Sequence, residues 1–113
     1  MKSRLTNSDK KALSEALFDA VTAGKGVPII RALLRAGANP DTGHKNVRGG
    51  ITALMVAGAS YYVAEESGKI LAAFIEAGAD LTRRDHSGMN AVDHAVVQNN
   101  DTLARQIKRV MKP

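Results

Sequence analysis

Three histidines are the residues in this chain best suited to acid–base or metal chemistry, and their placement argues against both. His44 lies in a glycine-punctuated stretch, His86 in the turn-like run Asp85-His86-Ser87-Gly88, and His94 directly after Asp93. No two of them stand four apart, the spacing that sets a pair of imidazoles on one helix face, and there is no cysteine to complete a zinc set. Asp93 and His94 are neighbours in sequence, and neighbours on a helix do not face each other. Ser60 has no base beside it and no Gly-x-Ser-x-Gly elbow. Gly24-Lys25-Gly26, Gly49-Gly50 and Gly68-Lys69 are glycine-bearing turns that lack the Lys-Ser/Thr ending of a phosphate loop. The pattern predicts no catalytic residue, no metal ligand and no cofactor; the protein reads as a non-enzyme.

The charges are more informative. Across 113 residues, 16 Lys and Arg stand against 11 Asp and Glu, a formal net charge of +5, with a calculated pI near 9.8. Lys45, Arg48, Arg83 and Arg84, with His44 and His86, fall in two predicted loops, and Arg105, Lys108, Arg109 and Lys112 fall near the C-terminus. Basic loops of this kind attract an acidic partner surface, quickening encounter in a salt-dependent way. Nucleic acid is the alternative partner; against it, the excess is modest and no aromatic is interleaved with the basic loop residues. With two Tyr, two Phe and no Trp, the core must be aliphatic. The length suits one domain. No apolar run reaches the length of a membrane span, and the first nine residues lack the apolar stretch of a secretion signal. The expectation is a soluble, cytoplasmic protein with no membrane role.

What positions these residues is a repeated phrase. Leu33-Leu34-Arg35-Ala36-Gly37-Ala38-Asn39 and Phe74-Ile75-Glu76-Ala77-Gly78-Ala79-Asp80 each read as a helix end. The Gly can take the left-handed conformation that closes a helix, and the Asn or Asp two residues later can hold the next turn through its own backbone. A second phrase, Gly50-Ile51-Thr52-Ala53-Leu54-Met55-Val56-Ala57, matches Gly88-Met89-Asn90-Ala91-Val92-Asp93-His94-Ala95 position by position, 38 residues on. The first helix is expected to start near Ser8 as N-cap, with Leu13, Ala16, Leu17, Ala20 and Val21 as its apolar stripe, and to end at Gly24 and Gly26. Pro28 opens the next, whose core face is Ile29, Ile30, Leu33 and Leu34. A middle pair spans 52 to about 62 and about 66 to 77, and a last pair 90 to about 98 and 101 to about 111, with Asp101 capping the final helix.

On these phrases the chain resembles the ankyrin repeat family, whose unit of about 33 residues is a β-turn and two helices opened by a T-P-L-H-x-A phrase. Thr52-Ala53-Leu54-Met55-Val56-Ala57 is a degenerate version with Met for His, and Asn90-Ala91-Val92-Asp93-His94-Ala95 is weaker, with Asp93 at the place of the family's turn-bracing histidine. The resemblance covers roughly residues 10 to 111. It implies an all-α ankyrin-repeat solenoid of about three helix-turn-helix units with hairpin-like finger loops. The units are repeat 1 at about 10–42 as N-cap, repeat 2 at about 46–80, and repeat 3 at about 85–113 as C-cap. The middle repeat carries insertions before Gly50 and at 58–69, the second of which lengthens either its first helix or the turn after it. Polar end units imply a complete small array.

In this family the fingers and first helices line a concave binding groove. Matching phrases place Lys45, Val47, Arg48, Ile51, Arg83, Arg84, His86, Ser87 and Met89 there, with Ala59, Ser60, Val97 and Gln98 extending it. Tyr61 and Tyr62 in the insertion form a second candidate contact. The resemblance therefore implies a protein–protein interaction module acting as adaptor, regulator, immunity protein or inhibitor. Its groove, basic at the edges, suits another protein with an acidic surface; a homodimer through an exposed repeat face is a further expectation.

Overall fold

The computed structural model describes residues 5–41, 43–44, 46–59 and 62–111. Among these, all regular structure is helical: α1 (Asn7–Thr22), α2 (Val27–Ala36), α3 (Ala53–Ala57), α4 (Ala64–Glu76), α5 (Ala91–Val97) and α6 (Asp101–Met111). Lys45, Ser60, Tyr61 and Lys112 lie outside the described residues.

The helices make two layers. α1, α3 and α5 pack in series, α2, α4 and α6 pack in series behind them, and α1 meets α2, α3 meets α4, and α5 meets α6 across the layers. Short turns within each pair therefore lie along one edge of the stack. The longer loops between pairs, residues 37–52 and 77–90, lie along the other. Between the layers sits a mainly aliphatic core, with Phe18 and Phe74 in it, in which Phe74, Leu17, Ile30, Met55, Ile70, Ile107 and Val21 are fully buried.

Local chemistry explains where the elements begin and end. α1 starts earlier than Ser8 because Thr6 and Asp9 form a reciprocal box. Asp9 N–H donates to Thr6 Oγ1, and Thr6 N–H donates to Asp9 Oδ2, both at 3.0 Å. Its buried face is also rotated from the expected stripe: Ser14 and Phe18 are buried with Leu17, Ala20 and Val21, Leu13 is half-buried, and Ala16 is exposed. Ser14 tolerates burial because its hydroxyl donates to Lys10 O at 2.7 Å and accepts Asn39 N–H at 2.8 Å. α2 buries Val27, Ile30 and Leu34 and leaves Ile29 half exposed. It closes on Gly37 at φ 116°. Asn39 and Asp80 then hold the following turns, accepting the N–H of Asp41 at 2.9 Å and of Thr82 at 3.0 Å.

The middle pair departs most from expectation. α3 is only five residues long and stops at Ala57, so the second insertion does not extend it, and the later part of that insertion, from Ala64, belongs to α4. Two carbonyls at its C-terminal end are taken from outside: Gln98 Nε2 donates to Met55 O at 2.9 Å and Asn100 Nδ2 to Gly58 O at 3.2 Å. A helix whose end carbonyls are met by another element's side chains has no need of a further turn. α4 begins at Ala64, slightly before the expected start. Asn100, not Asp101, caps α6, its Oδ1 accepting Leu103 N–H at 3.0 Å. α6 turns Arg105, Lys108 and Arg109 outward as a polar end unit would, whereas the first pair leaves Ala16 and Ile29 in the open.

Candidate functional site

The two inter-pair loops are built differently and then joined. In the first, Gly43 and Thr52 form a single antiparallel bridge. In the second, Asp85 is a hub. Its Oδ1 accepts Ser87 N–H at 2.9 Å, Ser87 Oγ–H at 2.6 Å and Met89 N–H at 3.0 Å. Its Oδ2 lies 2.7 Å from His94 Nε2. The Ser87 hydroxyl, then the Met89 amide, then His94 hold the Asp85 carboxyl well below the usual carboxylate range, against the desolvation that opposes them. Its side chain is 4% exposed, which this number of donors makes tolerable.

The loops meet where His86 N–H donates to Gly49 O at 2.8 Å. Gly50, at φ 74°, lies directly under the His86 ring; a Cβ there would come within 2.9 Å of His86 Cδ2. Only glycine fits both the left-handed backbone and that close approach. A second tie runs from Asp80 N–H to Asp41 Oδ1 at 2.9 Å.

The repeated phrases converge on one job done with different atoms. At the start of α5, Asn90 Oδ1 accepts Asp93 N–H at 2.9 Å and Asp93 Oδ2 accepts Asn90 N–H at 3.1 Å. At the matching place before α3, Thr52 N–H donates to Met55 Sδ at 3.4 Å. Met55 and Asp93 both occupy the third helical position and both return to brace the N-cap backbone.

The loop residues divide into free and committed. Arg48 and Arg83 are exposed with no side-chain hydrogen bond or close ion pair among the described residues, although, beside the Thr82 hydrogen bonds, the Arg83 charge helps to hold the Asp80 carboxyl below its ordinary range. Arg84 is committed: its Nη1 donates to Gly88 O at 2.6 Å and lies 3.6 Å from Asp93 Oδ2. His44 is committed too. Its Nδ1 accepts Asn46 N–H at 3.0 Å, which leaves the proton on Nε2, 3.3 Å from Asp19 Oδ1, and its ring packs 5.5 Å from that of Phe18. Val47 is 37% exposed, while Ile51 and Met89 are half-buried. Ser87 is spent on Asp85.

Tyr62 belongs elsewhere. It sits on the opposite edge, where its hydroxyl donates to Lys25 O at 2.6 Å, and burial, helped by nearby Glu66, pushes the phenol up. Gln98 is likewise on that edge, occupied with Met55 O. The structure thus gathers Val47, Arg48, Ile51, Arg83, Arg84, His86 and Met89 on the loop edge and does not bring Tyr62 to them.

Sequence reasoning missed the acids that disarm the basic residues. Asp19 is 25 residues from His44, and nothing local links them. Asp93 was in view as a turn residue, and its place in the first turn of α5 was the available signal for Arg84. Among the described residues no group of three His, Cys, Asp or Glu is placed to hold a metal ion, and no helix is long and apolar enough to cross a membrane.

Comparison with protein-family models and with curated proteins finds no match for this chain. The geometry alone defines the class: an all-α stack of helix pairs with joined, arginine-bearing loops along one edge.

Proposed function

We propose that this chain is a small ankyrin-type array that works as a non-catalytic protein-binding module, with its loop edge taking an acidic surface of another protein. The observation that carries the reading is the pair of exposed arginines that make no side-chain hydrogen bond or close ion pair among the described residues. Arg48 and Arg83 stand on different loops, and the loops are fastened by the His86–Gly49 hydrogen bond. A cation held by no internal hydrogen bond keeps charge to offer a partner, and a fixed backbone spares the loop, though not the side chain, the cost of ordering on binding. Half-buried Ile51 and Met89, with Val47, would supply the apolar contact between them. The ankyrin reading draws support from the matched N-caps of α3 and α5 and from the left-handed Gly37 and Gly78 at the ends of the second-layer helices.

Binding of this kind suits an adaptor, regulator, immunity protein or inhibitor, acting in the cytoplasm. The test is a pull-down from the native host's lysate with wild type beside Arg48→Glu/Arg83→Glu. A protein retained by wild type and lost by the variant supports the proposal; one retained equally by both refutes it. Recovery of nucleic acid alone, with an affinity falling log-linearly in salt, would transfer the role to Arg105, Lys108 and Arg109, which are exposed on α6 with no acid partner among the described residues.

A further inference from the structure

Arg31 is the most anomalous charge in the molecule. It lies on α2, facing α4, and is largely covered. Its Nε is fully buried with no hydrogen-bond partner, and the side chain makes no ion pair among the described residues. A donor N–H taken out of water without an acceptor is costly, and native structures rarely leave one so, even when the rest of the guanidinium keeps some exposure. Two of the neighbouring acids are engaged with other cations, Glu76 with Arg35 at 3.6 Å across the two helices and Glu65 with Lys69 at 3.2 Å along α4; the third, Glu66, makes no ion pair with Arg31.

Arg31 also separates two openings between α2 and α4. The smaller, about 140 Å³, has the Arg35–Glu76 pair in its lining. The larger, about 460 Å³, is lined by Arg31 and Lys69, by Pro28 and Val63 as apolar sides, and by Glu65 and Glu66. That volume is within the range of small-molecule sites, where a few polar groups set among apolar walls fix orientation. The helices on either side begin at Gly26 and Val63, and neither N-cap contributes a side-chain acceptor.

We infer that the α2–α4 cleft binds a small oxyanion compound, a carboxylate or a phosphate, through the Arg31 guanidinium. The anion supplies the acceptor that the fold withholds, and Pro28 and Val63 cover its carbon body. This site is on the second layer, separate from the loop edge, and does not depend on the proposed protein-binding role.

The test follows the Arg31 Nε–H signal by ¹⁵N NMR on the full chain, titrated separately with inorganic phosphate and with succinate at constant ionic strength. The expected result is a saturable shift and slowed exchange at Arg31 with at least one probe, the two arms telling phosphate from carboxylate. A Tm rise with that probe should accompany it. In Arg31→Met, which keeps the apolar stem, the Tm rise should vanish while the probe-free protein melts no lower than wild type. Should that variant fail to fold, Arg31→Lys keeps the charge without the fork and should weaken the probe by at least about tenfold. An Arg31 signal unmoved by both probes overturns the inference. So does one moving linearly with every other Arg signal, or one already protected without probe and released by Glu66→Gln, which would make Glu66 the missing acceptor.

Discussion

Gly58→Ala should change sign with the residue at position 98. Gly58 has φ −67° and ψ −19°, a conformation open to any residue. Alanine there should stabilise the chain by roughly 0.4–1 kcal/mol by restricting the unfolded state. A Cβ at Gly58 would, however, collide with Gln98 Oε1, while the next nearest atom, Ala95 Cα, is at an ordinary 3.4 Å. The carboxamide must swing away and surrender its 2.9 Å bond to Met55 O. Losing such a bond costs about 1 kcal/mol, more if the carbonyl stays dry. In the wild-type background the two effects nearly cancel or leave a net loss of up to about 1 kcal/mol. With Gln98→Ala already in place, the bond is gone and the obstacle with it, so Gly58→Ala should recover about 0.4–1 kcal/mol. At about 2.1 cal/mol/K of unfolding entropy per residue, 1 kcal/mol is roughly 4 °C in Tm for a chain of this size. Urea melts of wild type, both single variants and the double variant close a cycle. If the two single costs simply add, Gln98 is not what makes alanine unwelcome, and the account of why α3 stops at Ala57 fails with it.

Arg84→Glu should lower stability by about 1 kcal/mol in thermal melts, through loss of the bond to Gly88 O, whereas Arg48→Glu and Arg83→Glu should each stay within about 0.5 kcal/mol of wild type; equal effects at all three would contradict the division into committed and free arginines. Asp85→Asn should flatten the acid limb of stability. The folded Asp85 pKa is held below that of an ordinary aspartate, so its contribution is complete above about pH 5 and drains as pH falls from there toward the folded value. Urea midpoints measured between pH 6 and pH 2 should fall less steeply in the variant, and parallel curves would show that the hub does not titrate as described.

The legible parts of the fold were those written in adjacent residues. Gly37 with Asn39, and Gly78 with Asp80, carry their turn chemistry within three residues, and both turns form as expected. The reach of α3 was illegible because the groups that end it, Gln98 and Asn100, stand about 40 residues downstream. Thr6 and Ser8 are both good N-cap residues; only Asp9, three after Thr6, distinguishes them. The burial of Ser14 followed from a partner, Asn39, on another element. At the loop edge, the cations were readable and their neutralisers were not. Arg31 reads as one more solvated helix residue until the packing of α4 covers it.

That last asymmetry changes what a basic groove means. A net charge of +5 is a property of the whole chain, yet on the loop edge Arg84 and His44 are internally occupied, leaving Arg48 and Arg83 among the described residues. Two charges on two loops carry information in their separation, and that separation depends on how the middle and last helix pairs are registered. Hydrogen bonds tie those pairs at both edges: His86 to Gly49 beside the arginines, and Gln98 and Asn100 to Met55 and Gly58 opposite them. Gln98→Ala alters the register from the far edge and leaves every charge in place. A partner that recognises the arginine pair should therefore dissociate faster from Gln98→Ala with its salt dependence unchanged. A partner drawn only by overall charge should bind the variant as it binds wild type, and that outcome would remove the reason for treating the two arginines as one site.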